Sequence, residues 1–170
     1  MKKMKRLVAV LLVGIMALAM LTACGVTPSA PSMRDTALER DVAKWTVEWG
    51  KNQNLTLSVD PDLTEISNKC LPVAVNAENA RLVSAINQKA YNDAVKKRET
   101  FFAEERKGKK AALVPVSFPS GTEVTENTLA NRKGDIWDKL RDADVNNPTK
   151  FGVTVTKQKE YTLVLFVVSE

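Results

Sequence analysis

The residue types that could carry covalent or proton-transfer chemistry are few in this chain. Cys24 and Cys70 are the two thiols, 20 carboxylates are spread along the sequence, and histidine is absent. Without imidazole, Ser-His-Asp and Cys-His nucleophilic sites cannot be built in their usual form. The usual catalytic zinc sites lack their nitrogen ligands. The composition therefore predicts a protein that is not an enzyme and that uses no metal or cofactor.

The residues before Cys24 indicate that its thiol belongs to an export signal and not to a catalytic site. Residues 1–6 carry four positive charges, and residues 7–21 are apolar apart from Gly14. A basic start, an apolar run of about 15 residues and small residues at the end are the parts of a secretory signal. The run is short for a membrane-spanning helix, which needs about 20 apolar residues.

The segment Leu21-Thr22-Ala23-Cys24 resembles the lipobox of bacterial lipoproteins. The resemblance implies cleavage between Ala23 and Cys24 and a diacylglyceryl thioether on the Cys24 sulfur. An ordinary signal followed by a chance cysteine is the alternative. We therefore expect the mature protein to be held by lipid at the extracytoplasmic face of a bacterial membrane, since several acyl chains anchor far more firmly than one.

Removal of residues 1–23 changes both the charge and the cysteine count. The mature chain keeps 21 Lys and Arg against 20 Asp and Glu, a net charge of about +1, so the basic balance gives no argument for nucleic acid. With Cys24 lipidated, Cys70 has no partner for an intramolecular disulfide. We expect Cys70 to be a small core residue at the end of a helix, with a reactive thiol or an intermolecular bridge as alternatives.

The mature chain divides into a stalk and one domain. Residues 24–35 contain the lipidated cysteine and a Pro/Ser/Gly-rich stretch, which predicts a flexible stalk. Residues 36–170 are predicted to form a single domain. Thr36 and Glu39 have the spacing of a capping box. The helix that they begin is predicted to end near Lys51 and to carry one apolar stripe, formed by Leu38, Val42, Trp45 and Trp49.

Two further helices are predicted in the first half of the domain. A short extended segment, residues 55–59, precedes Asp60, which is the predicted N-cap of a helix that runs to about Cys70 and is stopped by Pro72. Asn76 is the predicted cap of the next helix. The apolar positions of that helix include Ala80, Val83, Ile86, Ala90 and Ala94. It ends in the basic residues 106–110, which either contact anionic headgroups or form a solvated helix end.

The second half contains the strands. Residues 111–116 predict a strand, and Pro115 places it at a sheet edge. A helix after Glu126 carries Ile136, Trp137 and Leu140 on one face and ends at Asn146-Asn147-Pro148. Residues 151–156 alternate, and residues 161–168 are apolar on both faces, which is typical of a central strand covered on both sides. The predicted fold class is α+β, a helix–sheet–helix sandwich around a small antiparallel sheet.

This order of elements, over residues 36–170, resembles the CAP superfamily of cysteine-rich secretory, antigen 5 and pathogenesis-related 1 proteins. Residues 55–63 are similar to the family's apolar–Trp–Asp–Pro–Glu–Leu segment, with Val59 in place of tryptophan. Thr125-Glu126-Asn127 resembles the Gly-Glu-Asn motif. Trp137 lies where a Trp-containing helix follows that motif. The stretches 147–155 and 161–168 are similar to the approach to the penultimate strand and to the last strand.

The resemblance implies a cavity that has lost its metal site. The family's cavity typically holds two histidines and two acidic residues, and only Glu126 can be carried over. The position of the second histidine falls between Lys139 and Ala143, and neither is histidine. Under the resemblance, Glu126 is a remnant of the motif that serves as a structural hydrogen-bond acceptor, and Asn127 serves as a loop or helix cap.

Three functions remain open. The expected one is a non-catalytic binding module of degenerate CAP type, which recognises an unknown protein, peptide, glycan or lipid and no nucleic acid. A structural or assembly lipoprotein of an envelope complex is the second. The third is an envelope hydrolase that pairs Glu126 with Asp135 or Asp138, because two facing carboxylates can perform glycosidic chemistry. A deep pocket would favour a ligand, and a contiguous exposed apolar patch would favour a partner.

Overall fold

A computed structural model describes residues 34–170, which belong to one compact unit. The predicted signal and cleavage site, Cys24 and residues 25–33 of the predicted stalk lie outside the described residues. Within residues 34–170, the elements in chain order are α1 (Thr36–Asn52), β1 (Ser58–Val59), α2 (Pro61–Leu82), α3 (Gln88–Glu105), β2 (Ala111–Pro119), α4 (Glu126–Ala130), α5 (Lys133–Asp142), β3 (Lys150–Lys157) and β4 (Tyr161–Ser169).

The four strands form one sheet in the order β1-β3-β4-β2. The three long strands are antiparallel, and β4 lies between the other two, as its apolar residues on both faces predict. Strand β2, which contains Pro115, lies at an edge as expected. The sheet is not purely antiparallel, however. Only Ser58 and Val59 of the predicted extended segment pair, and they run parallel to β3.

Helices pack against both faces of the sheet, so the α+β class is confirmed. On one face, alternate residues of β3 and β4 such as Phe151 and Phe166 form a core with α1 and α5. On the other face, Leu163, Leu165 and Val167 of β4 pack against α2. Because side chains alternate along a strand, β4 supplies apolar residues to both cores.

Helix α2 lies very close to β3 on the second face. Gly152 faces the first turn of α2, and a Cβ at that position would overlap the backbone of Leu63 and Thr64. One turn later, Ser67 Oγ donates to the Leu165 carbonyl (2.8 Å) and accepts from Thr154 Oγ1 (2.6 Å). The absence of a side chain at 152 and the hydroxyl at 154 therefore allow α2 to approach the sheet.

The start of α2 is confirmed, and its predicted end is wrong. Asp60 caps the helix by accepting from the backbone N–H groups of Asp62 (2.9 Å) and Leu63 (3.2 Å). The helix does not stop at Pro72 but continues to Leu82. Proline removes one helical hydrogen bond, but Pro72 is exposed, and the buried stripe continues beyond it through Ala74 and Val75.

Two predicted helix features next to this one also differ. Asn76 lies inside α2, and the cap of α3 is Asn87, whose side chain accepts from the Ala90 N–H (3.0 Å). Val83 and Ile86, predicted as apolar positions of a helix, lie in the turn between α2 and α3 and are exposed. Both residues do have the spacing of a helix face, but α2 ends at Leu82, before either position, so their side chains are not buried.

The chain enters the domain through a set of charged contacts beside β3. The cap of α1 is Asp35 rather than Thr36, and its carboxylate accepts from the Leu38 N–H (3.0 Å). Glu39 does not complete a capping box. It is buried and accepts from the Arg34 guanidinium (2.7 and 2.9 Å) and from the Val155 N–H (3.0 Å). Arg34 and Asp35, assigned to the stalk from sequence, are therefore part of the folded domain.

The helical region after β2 is divided into two short helices. Helix α4 begins at Glu126 and is capped by Thr125, which exchanges hydrogen bonds with Thr128. Asn127 is therefore inside α4 and is not its cap. Helix α5 ends at Asp142 rather than at residues 146–148. The division turns α5 so that Leu140 is buried against the sheet.

Candidate functional site

An apolar cavity of about 180 Å³ lies between α1, α4, α5 and one face of the sheet. Each wall comes from a different part of the chain, so only the folded domain brings the lining residues together. They are Trp45, Thr46, Trp49, Asn52, Leu57, Glu126, Asn127, Leu129, Ala130, Lys133, Ile136, Leu140, Pro148, Phe151, Phe166 and Val168.

The inner surface of the cavity is apolar and is formed by aromatic and aliphatic side chains. Phe151 and Phe166 are buried, and their rings are tilted relative to each other with centroids 6.4 Å apart. Trp49 is half-buried, and its ring lies 5.8 Å from that of Trp137, which joins α1 to α5. Trp45 is half-buried one helical turn earlier. The prediction that the tryptophan stripe packs on the core is confirmed, but both Trp45 and Trp49 also line the cavity.

The exposed end of the cavity is polar. Glu126, Asn127 and Lys133 are exposed there, together with Asn52 from α1. The sequence singled out Glu126 and Asn127, and the structure places both at this mouth. The Glu126 carboxylate makes no hydrogen bond or ion pair among residues 34–170, which differs from the structural acceptor role expected for it. Its negative charge is available to a ligand.

The carboxylates considered for hydrolysis do not face Glu126. Asp135 accepts from Arg132 (2.6 Å) and Asp138 from Arg141 (2.6 Å), and neither lines the cavity. Glu126 is the one carboxylate among the lining residues of this cavity, whereas glycosidic chemistry uses two. Throughout residues 34–170, no three thiols or carboxylates are grouped to hold a metal ion.

Cys70 lies in the core that α2 forms with the second face of the sheet. Its predicted burial is confirmed, but it lies in the middle of α2 and not at a helix end. Burial, with a smaller contribution from the charge of Glu105, raises the pKa of the Cys70 thiol to about 12. Because the thiolate is the reactive form, the geometry disfavours a reactive thiol or an intermolecular bridge at this position.

Three of the basic residues in the segment 106–110, Arg106, Lys109 and Lys110, make contacts within the domain. Lys109 pairs with Asp62 (3.6 Å), and Lys110 pairs with Glu170 (3.0 Å). Arg106 donates to the Ala111 carbonyl (3.4 Å) and lies over the Phe102 ring. These partners favour the solvated helix end over a headgroup site.

Sequence reasoning missed Asn52 and Lys133 at the mouth of the cavity. Neither has a local motif, and only the packing of α1 beside α5 brings them together. A comparison of the chain with models of known protein families, with curated proteins and with solved structures finds no match. None of the helices within residues 34–170 has the length and apolar composition that a bilayer span requires.

Proposed function

We propose that the protein is a lipid-anchored, non-catalytic binding module at the extracytoplasmic face of a bacterial membrane. In this proposal the cavity between α1, α4 and α5 receives the ligand. The observation that carries the proposal is the arrangement of the lining, which is apolar inside and polar at the mouth. Such a concave apolar site with a few polar groups at one end is typical of ligand pockets.

The size of the cavity limits what can enter it. An apolar cavity of about 150 Å³ is large enough to bind benzene, and the volume here is about 180 Å³. Complete drug-sized ligands occupy larger pockets, of roughly 300 Å³ or more. The ligand therefore inserts one apolar group, such as a ring or a short alkyl chain, and leaves the rest of its body outside.

The apolar lining also favours some of the ligand classes that the sequence left open over others. Sugar hydroxyls would lose their hydrogen bonds to water against Phe151, Phe166 and Trp49 without gaining partners, which is costly. A peptide side chain or the apolar end of a small lipid fits the same surface. Glu126 and Lys133 at the mouth can then contact a polar or charged part of the ligand. The proposal accordingly favours a peptide or a lipid-like ligand over a glycan.

A degenerate CAP-type origin of the domain is part of the proposal. It is supported by the position of Glu126-Asn127 at the mouth of a cavity, and by the helices that cover both faces of the sheet. The parallel strand β1 and the absence of histidine are the departures. In this interpretation the chain keeps a cavity and uses its apolar walls rather than bound metal to hold a ligand.

Filling the cavity tests the binding site. We expect Ala130→Phe to weaken binding of benzyl alcohol by about tenfold or more, because the new ring occupies the space that the probe needs. Trp45 and Trp49 line the cavity, so tryptophan fluorescence can follow the titration. Ala103→Phe, at an exposed position of α3, is the matched control. Unchanged probe affinity in a folded Ala130→Phe variant would rule out this cavity as the site.

Substitution of the lipidated residue tests the anchor. We expect Cys24→Ser to move the protein from the detergent phase to the aqueous phase, because serine cannot form the thioether that carries the acyl chains. Phase separation in a cloud-point detergent followed by immunoblotting measures the change. Cys70→Ala is the control and should leave partitioning unchanged. A Cys24→Ser protein that stays on the membrane with unaltered partitioning would disprove the lipid anchor.

A further inference from the structure

The turn between α2 and α3 exposes an unusual amount of apolar surface. Leu82 is 46% exposed, Val83 is 49% exposed and Ile86 is 91% exposed. We call residues 82–86 the apolar tip. Single exposed apolar residues are common on protein surfaces, but three large aliphatic side chains within five residues form a cluster, which is typical of an interaction site.

The apolar tip lies at the end of the sheet where the chain enters the domain. Helix α2 begins over Gly152 and passes Thr154, so it runs in the same direction as β3. Near its far end, Asn79 accepts a hydrogen bond from the Tyr161 hydroxyl (2.9 Å) at the start of β4. The backbone of Arg34 pairs with that of Thr156 in an isolated antiparallel β-bridge at this same end of β3. The apolar tip comes directly at the end of α2 and therefore lies beyond that end of the sheet.

The length of the tether keeps this end close to the bilayer. Arg34 is the tenth residue after Cys24, and an extended chain spans at most about 3.6 Å per residue. If Cys24 carries lipid, Arg34 therefore lies within about 36 Å of the membrane surface. The opposite end of the sheet, where Lys150 pairs with Ser169, is about 20 Å farther along the strands at roughly 3.3 Å per residue.

The charges around the apolar tip suit a bilayer interface. Residues 79–92 contain Arg81 and Lys89 but no carboxylate. The nearest acid before them, Glu78, is buried and pairs with Arg81 (2.7 Å). Lys89 is exposed three residues after Ile86. Anionic headgroups attract lysine and arginine near the surface, and the segment that would insert carries no carboxylate of its own to oppose insertion.

We propose that the apolar tip inserts into the lipid interface and forms a second membrane contact beside the acyl anchor. This inference rests on the proposed lipid anchor at Cys24. The anchor holds the domain at the surface, and insertion of Leu82, Val83 and Ile86 fixes its orientation. A firm anchor and a weak insertion on one chain reinforce each other, because the anchor keeps the apolar tip at the surface at high effective concentration.

A fluorescent probe at position 86 tests the insertion. The full chain carrying Ile86→Cys is purified from membranes, labelled with an environment-sensitive thiol dye and reconstituted into phosphatidylglycerol–phosphatidylcholine vesicles that contain lipid-attached quenchers. Val59→Cys is the control at the opposite end of the sheet, because Val59 is an exposed aliphatic residue (49%, against 91% for Ile86) that pairs with Phe151. The unsubstituted chain is the labelling control, because Cys70 is buried and Cys24 is lipidated under the proposal.

We expect the dye at position 86 to emit at shorter wavelength and to be quenched severalfold more than the dye at position 59. Equal quenching at the two positions, whether weak or strong, would overturn the inference. A dye at 86 that stays in water on vesicles and is shielded only after a membrane-protein extract is added would also overturn it, in favour of a protein partner. Labelling of Cys24 in the unsubstituted chain would contradict the anchor alone.

Discussion

Gly152→Ala is expected to lower the free energy of unfolding by about 3 kcal/mol or more, at the upper end of what overpacking does. The added Cβ would overlap the backbone of Leu63 and Thr64, which cannot rotate away as a flexible side chain would. That backbone is the first turn of α2, which Asp60 holds by its cap. The helix would have to lift from β3 and separate Ser67 from Thr154. Urea denaturation followed by circular dichroism measures the loss.

Gly134→Ala is the matched control for this substitution. Gly134 lies near the start of α5, and a Cβ there has no atom within 4 Å. Alanine is favoured over glycine in helices by up to about 1 kcal/mol, so this variant should be equally or slightly more stable than the parent. A Gly152→Ala variant with the same urea midpoint as Gly134→Ala would contradict the close approach of α2 to the sheet.

Glu39→Gln is expected to cost about 2 to 3 kcal/mol of stability, as hydrogen bonds to charged groups do. Both Glu39 oxygens accept from Arg34, and one of them also accepts from the Val155 N–H. An amide offers one acceptor oxygen, and its NH₂ group would face the Arg34 guanidinium, which is also a donor. Because Glu39 is 8% exposed, water cannot replace the lost interactions. Thermal or urea unfolding at neutral pH measures the effect.

An exposed carboxylate provides the comparison for Glu39. Glu65 pairs with Lys69 (3.1 Å) at 66% side-chain exposure, and such surface pairs contribute no more than about 0.5 kcal/mol. Glu65→Gln should therefore leave stability nearly unchanged. The double variant Arg34→Gln/Glu39→Gln should lose less than the sum of the two single losses, because both remove one interaction. Strict additivity would show that Arg34 and Glu39 do not act together.

Elements whose pattern is local were predictable from the sequence. The β3–β4 hairpin follows from alternation and from the two-sided apolar run that ends the chain, and the α2 start follows from Asp60-Pro61. Where tertiary burial outweighs a local rule, the prediction was wrong. Pro72 is a stop signal by itself, yet the burial of Ala74 and Val75 carries the helix past it.

The candidate cavity could be predicted only in part. The spacing of Trp45 and Trp49 predicts one helix face that packs on the core, and Glu126-Asn127 drew attention by its motif. The cavity itself depends on the division of one predicted helix into α4 and α5, which leaves a space beside Phe166 that no local pattern indicates. The exposure of Ile86 was also not predictable, because the helical spacing suggested a buried position.

The two edges of the sheet bear on whether copies of the domain can join through their strands. An open strand edge can pair with the edge of another chain. On one side of the sheet, Pro115 has no backbone N–H, so β2 lacks a hydrogen-bond donor at that position. On the other, β1 covers only Lys150 and Phe151 of β3, and farther along β3 the Val155 N–H and carbonyl are bonded to Glu39 and Asp35. Both edges therefore carry a local interruption that opposes pairing with the sheet of another copy.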